Sequence, residues 1–323
     1  MLSRFALLAA LIFFGAAVAQ DYPTRPVTMV VPFAAGGPID VLGRLLQAPL
    51  AEALGVPVVI ENITGGGGMV GSNKVKQAVR DGYTFVLGSI GTHTLSPMLA
   101  KQPLYNPATD FAPVILAAEI PLVLLVRKDL PAKDLQEFVA YVKQNHDRMQ
   151  FGSGGTGTSS HIGCVLLGNT IGVNVTHVPY RGGGPALNDL IAGRLDYICN
   201  YISLAVGPVG AGQVRALAIF GPDRSAVMPA LPTAAEQGLA GVDTSTWNAI
   251  FAPKGTPRAV VARLNAAVSR ALDTPAVRER MAKLGLEAPK PERRTPEYLG
   301  RFVADEMTKW APVLKASGAG AEQ

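Results

Sequence analysis

Cysteine is almost missing from this chain, which has only Cys164 and Cys199 among 323 residues. Two thiols are too few for a zinc cage, and His93, His146, His161 and His177 form no CxxC or HxxxH cluster, so no metal site is expected. The two cysteines make either one disulfide or two small buried side chains, and their spacing does not decide between these. Charge is sparse as well. Charged residues make up 16% and hydrophobic residues 48%, which excludes a disordered chain and fits large buried surfaces. The net charge of +5 is spread without a run of like sign, so nucleic acid has no basic patch to bind, while a small anion remains compatible.

No apolar run reaches the roughly 20 residues that a bilayer span needs. The nearest approach is the N-terminus, where Arg4 supplies a positive start, Ala6 to Val18 an apolar core, and Ala17-Val18-Ala19 a small-x-small cleavage site. Residues 1–19 are therefore expected to be a signal peptide, followed by no lipid-accepting cysteine, and the mature chain to lie outside the cytoplasm. About 300 residues remain, more than one ordinary core holds, and two domains or one elaborate one are expected.

What is present is an alternation of strands and helices. Val27 to Pro32, Val58 to Glu61 and Thr84 to Gly88 read as strands, with helices over Ile39 to Ala53 and through Val75 to Val79 between them. A second set starts near Ala118, with strands at Pro121 to Val126, Val175 to Val178, Leu195 to Tyr201 and Val214 to Phe220. Its helices are Leu135 to Lys143 and Pro185 to Ala192. This rhythm predicts mainly parallel sheets covered on both faces, with ligands at the carboxyl ends of the strands. Trp247 to Phe251 reads as a further strand. Thr256-Pro257 then reads as a cap and first residue of a helix, and the chain is helical to about Leu314. This last part is expected to pack back on the first lobe, giving lobe 1 residues 20–120 and 245–323, and lobe 2 residues 121–244.

The central stretch is Gln150 to Val165, QFGSGGTGTSSHIGCV, a strand, a glycine and hydroxyl loop, and a helix start. Helix N-termini carry partial positive charge and unsatisfied N–H donors, so such a loop suits an anion. Gly152 to Gly157 matches GxGxxG, but no Asp or Glu appears between Gly155 and Asn188 to hold a ribose, so a nicotinamide cofactor is not expected. Gly66 to Ser72 has serine where a phosphate-binding lysine should follow Gly71. Ser159, Ser160 and His161 raise a secreted hydrolase as an alternative, yet the GxSxG elbow is absent. No catalytic residue and no cofactor are assigned.

A binding site of hydroxyls and backbone donors remains. Val27 to Val41 repeats the grammar of the central stretch, so Phe33, Ala34, Ala35, Gly36 and Gly37 are expected to offer backbone donors. Ser89 and Thr92 would add hydroxyls from the third strand, and Thr156, Thr158, Ser159 and Ser160 those of the second lobe. Neutral donors suit a carboxylate that must be released again. Asp40, in the first helical turn, is expected to cap backbone rather than touch the anion.

The segments YPTRPVTMVVPFAAGGPIDVLGRLL, VVIENITGGGGMVGSNKV, DGYTFVLGS and SGGTGTSSH…HVPYRGGGPALNDLIAG resemble the Bug family, the TctC-like receptors of tripartite tricarboxylate transporters, over essentially the whole mature chain. The resemblance implies a two-lobed α/β fold of the type II periplasmic-binding-protein kind, two sheets with flanking helices and a hinge. It implies a monomer in the periplasm that closes over a small carboxylate, a di- or tricarboxylate, and hands it to membrane permease subunits. It also implies that Phe33 to Gly37 and Thr156 to His161 grip one ligand carboxylate. Ile39, Gly163-Cys164-Val165 and Asn200 depart from the family pattern. They make the cleft less acidic and permit an aromatic dicarboxylate, with Tyr180, Tyr201 or Trp247 as walls. A ligand sensor for a signalling partner is the other reading of the same cleft.

Overall fold

A computed structural model describes residues 22–317, apart from 243 and 245, with side chains to 315. The expected signal peptide lies outside the described residues. The first part of the chain runs β1 (Val27–Val31), α1 (Pro38–Leu54), β2 (Val58–Asn62), α2 (Met69–Lys76), β3 (Thr84–Ser89), α3 (Ser96–Leu99) and β4 (Phe111–Ile120). After Pro121 it continues as β5 (Leu122–Arg127), α4 (Leu135–Asn145), β6 (Gln150–Ser153), α5 (Ser159–Ile171), β7 (Thr176–Pro179), α6 (Gly183–Ile191), β8 (Tyr197–Tyr201), α7 (Ile202–Gly210) and β9 (Val214–Phe220). The last part is β10 (Thr246–Pro253), α8 (Arg258–Asp273), α9 (Pro275–Lys283) and α10 (Pro296–Ser317).

Two five-stranded sheets result, ordered β2-β1-β3-β10-β4 and β7-β6-β8-β5-β9. Both are mixed, which corrects the expectation of mainly parallel sheets. β1 pairs parallel with β2 and β3, and β6 with β7 and β8, as βαβ units require. β10 instead pairs antiparallel with β3 and β4, and β5 antiparallel with β8 and β9. Only Pro121 separates β4 in one sheet from β5 in the other. The return crossing lies beside it, since Thr246 pairs with Ile120 and donates from Oγ1 to the Ile120 carbonyl at 2.5 Å.

The first sheet is covered on both faces, which explains apolar runs without alternation in β1 and β10. Met29, Val31, Ile250 and Ala252 join one buried cluster with Leu42, Leu46 and Leu50 of α1. Val30, Ala249 and Phe251 point the other way, into a cluster with Leu299 and Val303 of α10. Trp247 belongs to that second cluster, 2% exposed, with its Nε1–H donating to Glu306 at 3.1 Å. It is a core residue and no ligand wall.

Other local expectations also shift. α2 spans Met69–Lys76 rather than Val75 to Val79, because the helix starts as soon as the chain leaves the left-handed glycines at 65–68. Thr256 does not cap α8. Its hydroxyl donates to the Pro253 carbonyl at 2.8 Å, and the helix begins after Pro257. Cys164 of α5 and Cys199 of β8 form a disulfide.

Candidate functional site

Three helices start at one place between the sheets. α1, α5 and α6 each follow a strand through a glycine turn. Pro38 and Ile39, Ser159 and Ser160, and Gly183, at their respective first turns, line one small cavity of about 20 Å3. First-turn N–H groups have no intrahelical acceptor, so three sets of donors and three positive dipole ends converge here. The remaining wall comes from Phe33, Ser89, Gly154, Thr158, Asn200 and Tyr201. None of the lining side chains is charged.

The hydroxyls are held by each other. Thr158 caps α5, accepting from His161 N–H and donating to the Gly155 carbonyl at 2.7 Å. Its Oγ1 lies 3.0 Å from Ser160 Oγ, which accepts from Gly154 N–H at 2.9 Å. Ser159 Oγ lies 2.8 Å from the Tyr201 hydroxyl. Burial raises the Tyr201 pKa, partly offset by hydrogen bonds with Ser159, Thr246 and Ser89, so it enters the site as a neutral phenol. Asn200 braces the third helix start, donating from Nδ2 to the Gly183 carbonyl at 3.1 Å.

Of the residues expected at the site, the cavity brings together Phe33, Ser89, Thr158, Ser159, Ser160 and Asn200. Three N–H groups of the loop after β1 already have acceptors, which corrects the expectation for Ala34, Gly36 and Gly37. Ala34 N–H donates to the Arg181 carbonyl at 3.0 Å across the sheets, Gly36 N–H to Asp40 at 2.8 Å, and Gly37 N–H to the Ala34 carbonyl at 3.3 Å. Ala35 does not line the cavity. Thr92 is fully buried, and its Oγ1 accepts from Ser89 N–H at 2.9 Å, strapping the end of β3. His161 is buried as well, accepting at Nδ1 from Gly157 N–H and lying 4.2 Å from the His177 ring. Burial, then the neighbouring His177, lowers its pKa to about 3, so it is a neutral brace for the loop. Thr156 and Tyr180 line a separate groove, and the Tyr180 hydroxyl donates to Asp189 at 2.6 Å.

Asp40 caps as expected. Burial pushes its pKa up, but donors from Arg44, Gly36 and Asn62 outweigh this and hold it below the usual carboxylate value. The residues missed in the sequence are Gly154, Gly183 and Pro38. The turn Arg181-Gly182-Gly183-Gly184 had the right grammar but lies some 150 positions from α1, and only the fold brings them together. Ser159 faces Tyr201 and Ser160 faces Gly154, while the His161 ring lies against Phe151 and His177.

The tripartite tricarboxylate transporter family receptor model, TctC, matches residues 42–319. The chain belongs to this family. Among solved structures, MatC from Rhodopseudomonas palustris with bound malate is 44% identical, covering 91% of this chain and 100% of that one, with a TM-score of 0.88. The periplasmic binding protein BugD is 37% identical over 92% of this chain and 99% of its own, with a TM-score of 0.89. An R. palustris protein with adipate is 35% identical over the same shares, at 0.88. These TctC and Bug relatives share the two-lobed fold. No helix among the described residues is long and apolar enough to cross a membrane.

Proposed function

We propose that this chain is a periplasmic solute-binding protein that captures a small carboxylate between its lobes, without chemical turnover, and delivers it to the membrane permease of a tripartite tricarboxylate transporter. The observation that carries this reading is the convergence of three helix N-termini and a set of neutral hydroxyls on one uncharged cavity. Such a wall stabilises an anion through oriented dipoles while leaving it releasable. The family membership and the malate and adipate of its relatives support the same class of ligand.

Lobe 1 is taken as residues 20–120 and 245–323, lobe 2 as 121–244, with the protein acting as a monomer. The two adjacent crossings at Ala118 to Leu122 and Thr244 to Ala249 serve as the hinge. A ligand touching both lobes stabilises the closed form by its differential affinity. Malate should raise the melting temperature of the mature protein, with no hydrolysis of ester, amide or phosphate substrates. Replacing Ser159 and Ser160 together with alanine should abolish that shift while the unliganded protein keeps its circular dichroism. An undiminished shift in the double variant sinks the site assignment.

A further inference from the structure

The cavity has a neighbour. Phe33 and Gly154 line both the uncharged cavity and an outer groove, so the Phe33 ring forms part of a partition between two compartments. The outer compartment is walled by the glycine turn around Gly67 and by Thr156, Tyr180 and Arg181. Among the described residues that line the two compartments, Arg181 is the one with a charged side chain. It is exposed, and among the described residues no carboxylate pairs with its guanidinium. The nearby Asp189 is taken up by Tyr180 at 2.6 Å and Arg194 at 2.8 Å. The Arg181 backbone is fixed at the lobe interface through its carbonyl, which accepts from Ala34 N–H. Gly183, two residues on, lines the inner cavity. A single short turn thus contributes a helix N-terminus to the inner compartment and Arg181 to the lining of the outer one.

The geometry points to Arg181 as a specificity-determining residue that receives the second carboxylate of a ligand long enough to pass Phe33. This rests on the reading of the inner cavity as the first carboxylate's site. The ligand class is then an α,ω-dicarboxylate with an apolar spacer. The spacer runs along Phe33, and the inner carboxylate meets only dipoles and hydroxyls while the outer one meets a guanidinium. A short dicarboxylate does not reach Arg181.

Isothermal titration of the mature protein with adipate, hexanoate and succinate tests this. Wild type should bind adipate more tightly than hexanoate, with an advantage that shrinks as salt is raised. Arg181→Gln should weaken adipate about five- to ten-fold, bringing it to the level of hexanoate, while hexanoate and succinate change less than two-fold. Arg181→Lys should restore part of the adipate affinity. The substitution keeps the Arg181 carbonyl bond and removes an exposed side chain, so folding is preserved. Equal losses for adipate and hexanoate, or an unchanged ratio, overturn the assignment while leaving the inner site standing. If no acid binds the wild type, the inner-site reading fails and this one fails with it.

Discussion

The lobes pack tightly at Gly67, and that contact makes closure testable apart from ligand chemistry. A Cβ built at Gly67 would lie 2.4 Å from the Thr156 carbonyl oxygen and 2.6 Å from Ser96 Oγ. Thr156 sits between β6 and α5 of the second sheet's lobe, Gly67 between β2 and α2 of the first. Restoring an ordinary contact of roughly 3.4 Å needs about 1 Å of separation between lobes, since packed backbone does not compress. Gly67 also has φ of +62°, so alanine carries a local cost of about 1–2 kcal/mol in open and closed forms alike. The clash with Thr156 acts on the closed form alone, whereas Ser96 lies in the same lobe as Gly67 and can turn its hydroxyl away in both forms. If it disfavours closure by about 1.4–2.8 kcal/mol, malate affinity falls about 10- to 100-fold. Gly55→Ala is the control. Gly55 has φ of +80° with nothing within 4 Å of its Cβ, so it carries the backbone cost without the clash. Calorimetric titration of both variants should show a loss of affinity only in Gly67→Ala. Wild-type affinity in Gly67→Ala, or equal weakening in Gly55→Ala, would refute the reasoning.

The buried histidines set a pH dependence. Burial lowers the His177 pKa to about 4 and the His93 and His161 pKa values to about 3, below the unfolded value of about 6.5. Below pH 6.5 the unfolded chain takes up protons that the folded chain refuses, so stability present at neutral pH is lost as pH falls from about 6.5 toward 4 and 3. His177→Gln should flatten the fall in melting temperature between pH 6.5 and 4, and an unchanged slope would contradict it. The disulfide closes a sequence separation of 35 residues, and its removal should cost about 3–4 kcal/mol by the loop-closure relation. Urea unfolding of the Cys164→Ala, Cys199→Ala pair checks this, and a loss below about 1 kcal/mol would count against it.

Much of the fold was legible because its signals are local. The apolar run of β1, the glycine turn and Pro38 mark a strand, a loop and a helix start within about a dozen residues, and the same grammar marks β6 and α5. Asp40 and the Thr158 cap follow from first-turn chemistry that acts over three or four positions. β4 was not legible, since its apolar stretch from Phe111 has no partner nearby in sequence and pairs with β10 more than 120 residues later. The assignment of Trp247 failed for a related reason. An aromatic in a strand that is covered on both faces lies in the core on one face or the other, and only α10 decides which.

By itself the sequence determined many of the strand and helix segments and where glycine turns feed helix N-termini. Tertiary structure decided which donors remain for a ligand. Ala34, Gly36 and Gly37 looked like donors in the chain and are consumed by Arg181, Asp40 and Ala34, whereas Gly183, in a glycine turn not assigned to the site, faces the cavity. A backbone N–H is the same group in every residue. Its availability depends on the acceptor that folding brings to it, and that acceptor is set by contacts between distant parts of the chain.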